Sequence, residues 1–498
     1  MKKLNLILLL TIVSAISVKS QVNGVIAGVV GNLTVVKTWG TNDERGFAYG
    51  NLIGDKISVV FKDYVLPQFG GYYTYARNIV QSDLHLKFDS VYVEEAKAII
   101  SGMNQANNNI ENMDYIDMLV CNSMLDIYKL LTIPSPVSCS ALLSWGAATA
   151  GSDLNATPVI TRHLDWATVP PLCNNQVIWV NFPSSDAEQP WVNVGFAGMF
   201  SVLSGFNNNI GVFQNMMDDF SGNARYGMKY EPIWFALRKA LERRDFNNDG
   251  KNNVDDVKTA LNVNTNGYAN GYLISAIARS TGNLPQDVAM IAEIAPTAPY
   301  LTFRAKEYED KIPSDNLYTA NYQIARNNSK NYCARYNAVV ERIEDGTNMS
   351  TTRSWEMMRD YSHLAHNIQL MQYAPEMDMF KISVFGSGKP AYENVPALFS
   401  ISNLLNRYSA LENLDIAGSV QLYPNPAADY IRIKGLPLHN SLLELTVYDI
   451  AGKMLYHESG NSTATVYEMN VSFLQHGLYV LKIKQGNESS FINLIKGL

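Results

Sequence analysis

Cysteine is scarce in this sequence, with four among 498 residues: Cys121, Cys139, Cys173 and Cys333. So few thiols exclude a disulfide framework as the basis of the fold, although they leave open one pairing among the three other than Cys139. The net charge is −7 and no basic patch stands out, so nucleic acid is not an expected partner. After the N-terminus no run of about 18 uninterrupted apolar residues occurs, and no transmembrane segment is predicted.

The familiar motifs of hydrolases and nucleotide-binding proteins are also missing. The sequence has no His-Glu-x-x-His pair for zinc, no Gly-x-Ser-x-Gly turn and no phosphate-binding loop. We therefore expect no cofactor for catalysis. Hydrophobic residues make up 47% and charged residues 17%, a balance that is normal for a globular protein.

The first 20 residues have the pattern of a secretory signal peptide. "MKKLNLILLLTIVSAISVKS" begins with two lysines, continues with an apolar run from Leu6 to Val13 and ends in small residues. The apolar run is too short to span a membrane. The sequence therefore predicts an exported protein.

The rest of the chain divides into four segments of different texture. Residues 21–138 are mostly helical in pattern after a short strand, and the prolines of "IPSPVS" end the last helix. Residues 139–405 give short strands, then helices, then strands again, which predicts a layered α+β domain. Residues 406–419 resemble a linker, and the period-two alternation of residues 420–498 predicts a small all-β sandwich.

The last segment resembles the C-terminal sorting domain of the type IX secretion system. The similarity rests on "YPNPAADYI" (Tyr423–Ile431), "VYDIAGK" (Val447–Lys453), "GLYVLKI" (Gly477–Ile483) and the basic end at Lys496. A carbohydrate-binding β-module is the alternative for a sandwich of this size. The resemblance implies that the type IX secretion machinery is a partner and that the protein leaves a Bacteroidetes-like cell or stays on its surface.

Cys139 is the candidate nucleophile. A nucleophile needs a base within hydrogen-bond reach, and an N-terminal residue carries its own in the α-amino group, with a pKa of about 7.7–8.0. The change from helices to strands at Ser138–Cys139 is consistent with a cleavable pro-segment, whose release would make Cys139 a chain start.

Several blocks, in order, resemble the self-processing acyltransferases typified by isopenicillin-N acyltransferase, with acid ceramidase and bile salt hydrolase as distant relatives. They are "GTNDERGFAYGNLIGDKI" (Gly40–Ile57), "CSALLSWGAATAG…VITRHLDW", "SGFNNNIGVF" (Ser204–Phe213), "YTANYQ" and "NYCARYNAVVERI". The resemblance implies an N-terminal-nucleophile hydrolase with a four-layer αββα sandwich. It also implies self-cleavage between Ser138 and Cys139 through a thioester.

The resemblance assigns roles to six residues of the catalytic site. Cys139 attacks the amide, Arg162 lies beside the sulfur and favours the thiolate, and Asp165 holds the α-amine or the substrate amide. Asn321 is the side-chain donor that stabilises the oxyanion, and Asn207 is the other polar position. Arg335 orders the site. Because Arg162 and Asp165 are three residues apart on a strand, a bulge or a strand end is needed to bring them together.

The sequence departs from the family pattern at several positions. Ser140 replaces the common Thr, His163 stands where Asn is usual, and Ala320 replaces a Thr before Asn321. The extra residues "GSDLNATP" between Cys139 and Arg162 predict a hairpin connection. These departures concern the substrate more than the nucleophile.

A loop inside residues 139–405, "DFNNDGKNNVDD" (Asp245–Asp256), resembles an EF-hand or dockerin loop. Gly250 provides the turn at position six, while Asn252 stands where an apolar residue is usual. The resemblance implies one structural Ca²⁺ held by six residues: Asp245, Asn247, Asp249, Lys251 through its carbonyl, Asn253 and Asp256.

The leading hypothesis is a secreted, self-processing amidohydrolase that acts on a small-molecule linear amide. An acyltransferase of the same fold is one alternative, and a catalytically inactive, calcium-dependent surface binding protein is another. The sequence leaves open whether the pro-segment stays bound as a subunit after cleavage.

Overall fold

The computed structural model describes residues 22–497 except 83, 135–136, 218–221, 226, 307, 309–310, 327–332, 408–420, 435–441, 450–453, 462–465 and 486–487. The predicted signal peptide (1–20) and most of the predicted linker (406–419) lie outside the described residues. No helix in the described ranges is long and apolar enough to cross a membrane. The four cysteines are free thiols.

Two sheets form the main body. The first has nine strands in the order β1-β2-β5-β6-β7-β8-β9-β10-β11: β1 (Gly24–Val30), β2 (Leu33–Gly40), β5 (Gln176–Pro183), β6 (Trp191–Phe196), β7 (Ser204–Asn207), β8 (Ile210–Met216), β9 (Tyr272–Ala278), β10 (Ala289–Ile294) and β11 (Leu301–Arg304). The second has six strands in the order β12-β3-β4-β13-β14-β15: β12 (Asn316–Thr319), β3 (Ser138–Ser144), β4 (Val159–Asp165), β13 (Asn367–Ala374), β14 (Met379–Val384) and β15 (Ala397–Ser400).

Helices lie on the outer sides of the two sheets. They are α1 (Asn42–Val60), α2 (Leu66–Phe69), α3 (Tyr73–Gln81), α4 (Ser90–Gln105), α5 (Tyr115–Cys121), α6 (Met124–Leu130), α7 (Pro170–Cys173), α8 (Ile233–Glu242), α9 (Val254–Asn262), α10 (Ala334–Arg342), α11 (Thr351–Tyr361) and α12 (Ile401–Leu404). α1, α8 and α9 pack against the nine-stranded sheet, and α11 packs against the six-stranded sheet. The mixed α+β prediction is confirmed.

Three large apolar clusters fill the spaces between these elements. One lies between helices α1–α9 and the nine-stranded sheet and includes Tyr49 and Trp179. Another lies between the two sheets and includes Ile178 and Met371. A third lies between the six-stranded sheet and α10 and α11. Strand alternation therefore sends successive side chains of β3 and β4 to different clusters.

The N-terminal segment is built into the main sheet. β2 runs parallel to β5, with Leu33 opposite Gln176 and Gly40 opposite Pro183. β2 is buried over Leu33–Thr38, as expected for a strand that is covered on both faces. The segment that the sequence describes as mostly helical thus contributes two strands to the same sheet as residues that follow Cys139.

The glycines of the "ERGFAYGNLIGDK" block lie where helix α1 packs closely against helix α4. A Cβ at Gly50 would lie 2.0 Å from the carbonyl oxygen of Ile99, and one at Gly102 would lie 2.0 Å from that of Phe47. Only glycine allows α1 and α4 to approach so closely. A capping box of Thr41 and Glu44 starts α1.

The tail is all-β, as the sequence predicts. Its strands form a three-stranded sheet (β16-β17-β20) and a four-stranded sheet (β19-β18-β21-β22): β16 (Gln421–Tyr423), β17 (Tyr430–Lys434), β18 (Leu442–Asp449), β19 (Met454–Asn461), β20 (Val466–Asn470), β21 (Gly477–Gln485) and β22 (Glu488–Lys496). Alternate residues such as Ile431, Ile433, Leu445 and Val447 fill its apolar core.

Candidate active site

Cys139 lies near the start of β3, in the middle of the molecule. β3 pairs with β4 in antiparallel fashion, so that Cys139 is opposite Leu164 and Ser138 is opposite Asp165. The Cys139 side chain is fully buried. β3 and β4 are neighbours joined through the "GSDLNATP" stretch, as the predicted hairpin requires.

Arg162 is the cation beside the sulfur. Its Nη2 donates to Cys139 Sγ at 3.2 Å and to the carbonyl of Gln214 at 2.7 Å, while Nη1 donates to Ser204 Oγ at 3.1 Å. Ser204 and Gln214 belong to the nine-stranded sheet, so the guanidinium bridges the two sheets. His163 points the other way, with Nε2 2.9 Å from the carbonyl of Met358, as strand alternation predicts.

A second arginine joins the other predicted residues. Arg335 on α10 donates from Nη1 to Asp165 Oδ2 at 3.0 Å and from Nη2 to Asn321 Oδ1 at 2.6 Å. Asn367 at the start of β13 donates to Asp165 Oδ1 at 2.9 Å. Asp165 is the last residue of β4, and from this strand end its carboxylate contacts Arg335 and Asn367. Arg162 forms no hydrogen bond with either residue in the part of the chain that the structure describes.

Asn321 lies against the predicted scissile bond. Its Oδ1 accepts the backbone N–H of Cys139 at 3.3 Å, and its Nδ2 donates to the carbonyl of Met216 at 2.6 Å. In this arrangement the side chain is an acceptor for the nitrogen of Cys139. The predicted oxyanion donation requires Nδ2 to leave Met216.

Burial dominates the electrostatics of the site. Burial raises the pKa of the Cys139 thiol, and the Arg162 guanidinium offsets only part of that effect. Burial also raises the pKa of the Asp165 carboxyl to about 6, against the opposing influence of Arg335. At neutral pH the thiol is therefore protonated in the intact chain.

Asn207 lies apart from this cluster. Its Nδ2 donates to the carbonyl of Leu241 at 3.0 Å, and its Oδ1 accepts the N–H groups of Asn209 and Ile210 at 2.7 and 2.8 Å. The side chain therefore closes the turn between β7 and β8, a common use of asparagine. Ser204, at the other end of β7, is the residue of this block that contacts Arg162.

The sequence did not reveal several partners of the cluster. The carbonyls of Gln214 and Met216 carry no residue-type signal, because every residue has a carbonyl. Asn367 is the first residue of a predicted strand, "NIQLMQYAP", and gives no motif of its own. Ser204 stands at the start of the quoted "SGFNNNIGVF" block and was the one detectable signal.

The EF-hand-like loop lies between α8 and α9. Asp245 accepts the N–H groups of Asp249 and Gly250, and Asn247 donates to Asp249 at 3.0 Å. Asn253 and Asp256 form the capping box that starts α9. Within the described ranges, no group of three or more His, Cys, Asp or Glu side chains is placed to hold a metal ion.

Comparison with known proteins identifies the tail. Residues 421–496 match the family described as "Secretion system C-terminal sorting domain". This match confirms the predicted type IX sorting domain and indicates secretion or cell-surface location in a Bacteroidetes-like bacterium. No curated protein matches the chain.

Proposed function

We propose that residues 22–405 form a self-processing N-terminal-nucleophile cysteine hydrolase that cleaves linear amides outside the cell. The arrangement around Cys139 carries the proposal. The sulfur lies 3.2 Å from the Arg162 guanidinium, and the nitrogen of the same residue lies 3.3 Å from Asn321 Oδ1. One residue thus has a cation at its nucleophilic atom and an acceptor at the nitrogen that cleavage would release.

The layering supports this class of fold. Helices cover the outer face of each sheet, the two sheets face each other, and the nucleophile begins a strand of the six-stranded sheet. A four-layer αββα sandwich has this order of layers. The proposal combines that order with the sequence blocks around Cys139, Arg162 and Asn321.

Self-processing would proceed by an N-to-S acyl shift. The Cys139 thiol attacks the carbonyl carbon of Ser138, the bond from that carbon to the Cys139 nitrogen breaks, and the nitrogen receives the thiol proton. Water then attacks the thioester, a proton returns to sulfur, and Ser138 keeps a carboxylate. Asn321 Oδ1, which accepts the N–H before cleavage, would hold the new amine.

Substrate turnover would use the same atoms. The free α-amine of Cys139 takes the thiol proton, the thiolate attacks the substrate amide, and the leaving amine receives that proton. Water hydrolyses the resulting thioester and releases the acid. An amine in place of water would make the same protein an acyltransferase.

The N-terminal segment would remain bound after cleavage. β2 is paired with β5 along its length, and Glu95 of α4 forms a buried ion pair of 2.6 Å with Arg238 of α8. Separating the two parts would expose both the strand edge and this pair to water. We expect the two fragments to elute together on size-exclusion chromatography without denaturant and to separate in denaturant.

Amide turnover tests the proposal directly. The purified protein should release amine from at least one member of a panel of N-acyl amino acids and N-acyl lipids. Cys139→Ala should release none, and Cys173→Ala, which alters another buried thiol, should behave as wild type. Release of no amine by the wild type, or equal release by Cys139→Ala, would overturn the assignment.

We also propose that the loop between α8 and α9 holds one structural Ca²⁺. The oxygen atoms of its side chains are the hard ligands that this ion prefers. The Asp245 carboxylate accepts the N–H groups of Asp249 and Gly250, which holds the loop in a compact conformation. The ion would stabilise the fold without taking part in catalysis. Calcium should raise the melting temperature of wild type but not of Asp245→Asn, and equal melting temperatures with calcium and with chelator would contradict the site.

A further inference from the structure

An open cleft of about 370 Å³ lies at the far end of β3 from Cys139. β3 ends at Ser144, and Trp145 follows it directly. Six strand residues advance the chain by about 20 Å, so this cleft is separate from the amide site.

Three connections and one ion pair form the walls of the cleft. They are the turn after β3, the "GSDLNATP" stretch before β4, the β9–β10 connection and a Lys–Asp pair, and the lining includes Gly146, Asn155, Asn283, Pro285, Lys306 and Asp315. The residues that depart from the family spacing thus become part of a cavity wall. Cavities that hold small molecules have volumes in this range.

Trp145 supplies an unused hydrogen-bond donor. Trp145 lines the cleft, the residue is 2% exposed, and its Nε1–H has no acceptor among the residues that the structure describes. A buried donor without an acceptor is unfavourable, and native proteins rarely keep one without a reason. The Nε1 atom has no exposed surface in the ligand-free cleft, so an oxygen atom of a bound molecule would satisfy this donor after a shift of the indole edge toward the cleft.

The charge and the rigidity of the cleft limit what it can bind. Lys306 Nζ lies 3.2 Å from Asp315 Oδ2, so the two charges that line the cleft offset each other. Asp315 also accepts the N–H of Ala147 at 2.7 Å through Oδ2 and that of Trp145 at 3.1 Å through its carbonyl. The cleft is therefore preformed and nearly neutral, and it offers both donors and acceptors.

We propose that this cleft binds a neutral saccharide of one or two rings. Hydroxyl groups donate and accept, which suits a wall of ammonium, carboxylate and the amides of Asn155 and Asn283, with the indole N–H beneath it. The apolar face of a sugar ring suits the exposed ring of Pro285. A charged ligand would gain nothing from a wall whose charges cancel.

Calorimetric titration of the full chain carrying Cys139→Ala tests this proposal apart from amide chemistry. The probes are glucose, galactose, mannose, N-acetylglucosamine, maltose and cellobiose, with gluconate as the charged comparison. We expect at least one neutral sugar to bind. Trp145→Phe, which keeps an aromatic ring and removes the N–H, should weaken that binding about fivefold.

Lys306→Met is a second test of the cleft, at a side chain that is partly exposed. Lys389→Met, outside the cleft, is the matched control. Lys306→Met should weaken binding, and Lys389→Met should leave it unchanged. The proposal fails if no neutral sugar binds at about 10 mM, if gluconate binds more tightly than the neutral sugars, or if both cleft variants bind as wild type. If Trp145→Phe does not fold, Lys306→Met decides.

Discussion

The two ends of β3 differ in how their polar groups are used. At the Cys139 end, the thiol and the backbone N–H of Cys139 and the Asp165 carboxylate contact arginines and an amide that come from distant parts of the chain. At the Trp145 end, short connections leave a buried indole N–H without an acceptor beside an open cleft. One strand thus presents a closed set of groups suited to bond cleavage and an incomplete set suited to a ligand.

Arg162→Met should have the largest effect on this contrast. It removes the cation beside Cys139 Sγ and leaves the Gln214 carbonyl without its donor. Because burial already raises the thiol pKa, we expect self-cleavage to slow by about 100-fold or more. Saccharide binding should not change.

Gel analysis of cleavage over time, restricted to folded protein, measures this effect. Arg304→Met is the matched control, because Arg304 is equally buried and pairs with Glu293 at 2.7 Å. It should lower the melting temperature and leave cleavage of the folded fraction near the wild-type rate. Equal cleavage by Arg162→Met and wild type would remove Arg162 from the mechanism.

Arg335→Gln should have the next largest effect. The change breaks the bridge from Asp165 to Asn321 without touching the sulfur, and we expect cleavage to slow about tenfold, equivalent to about 1.4 kcal/mol. Arg342→Gln, on the exposed side of the same helix, should match wild type. If the two variants cleave at the same rate, the bridge does not position the scissile bond.

The pH dependence should follow the thiol. Above the Asp165 pKa of about 6, the Cys139 thiol is the group that still has to lose a proton, because burial raises its pKa. The cleavage rate of freshly purified intact chain should therefore rise about tenfold per pH unit between about pH 7 and 9. A flat or falling profile over that range would show that the thiolate does not limit the reaction.

Gly146→Ala should affect the Trp145 end and leave cleavage unchanged. Gly146 has φ of +51°, and a Cβ there would lie 2.4 Å from Asp315 Oδ2. We expect a loss of about 1–3 kcal/mol of unfolding free energy, measured with denaturant, and weaker sugar binding. Gly71→Ala, where a Cβ meets nothing within 4 Å, is the control. A Gly146→Ala protein as stable as the control would show that the turn tolerates a side chain.

Much of the fold could be predicted because its signals are local. Alternation predicts β4 and β13, helical spacing predicts α8 and α11, and the tail repeats short segments of strand and turn. β9 and β10 were missed because "YLISAIA" and "AMIAEI" are apolar except for Ser275 and Glu293, and so short a run does not separate a buried strand from a buried helix. The contribution of β2 to the main sheet depends on contacts with β5, more than 130 residues away.

The site was less accessible to sequence reasoning. The resemblance to family blocks selected Arg162, Asp165, Asn321 and Arg335, and the structure brings all four together with Cys139. Asn207 was selected from a run of three asparagines, a residue type that serves both in turns and in active sites. In the structure its side chain closes the turn between β7 and β8. Burial raises the pKa of the Cys139 thiol and Arg162 lowers it, and the net direction depends on three-dimensional packing. No sequence motif contains that information.

Intact-mass analysis of the purified chain tests the central claim most directly. Wild type and Cys173→Ala should each give two fragments, one ending at Ser138 and one beginning at Cys139, and Cys139→Ala should give a single uncut chain. A wild-type protein that stays uncut between Ser138 and Cys139, or a Cys139→Ala protein that is cut there, would contradict self-processing by Cys139.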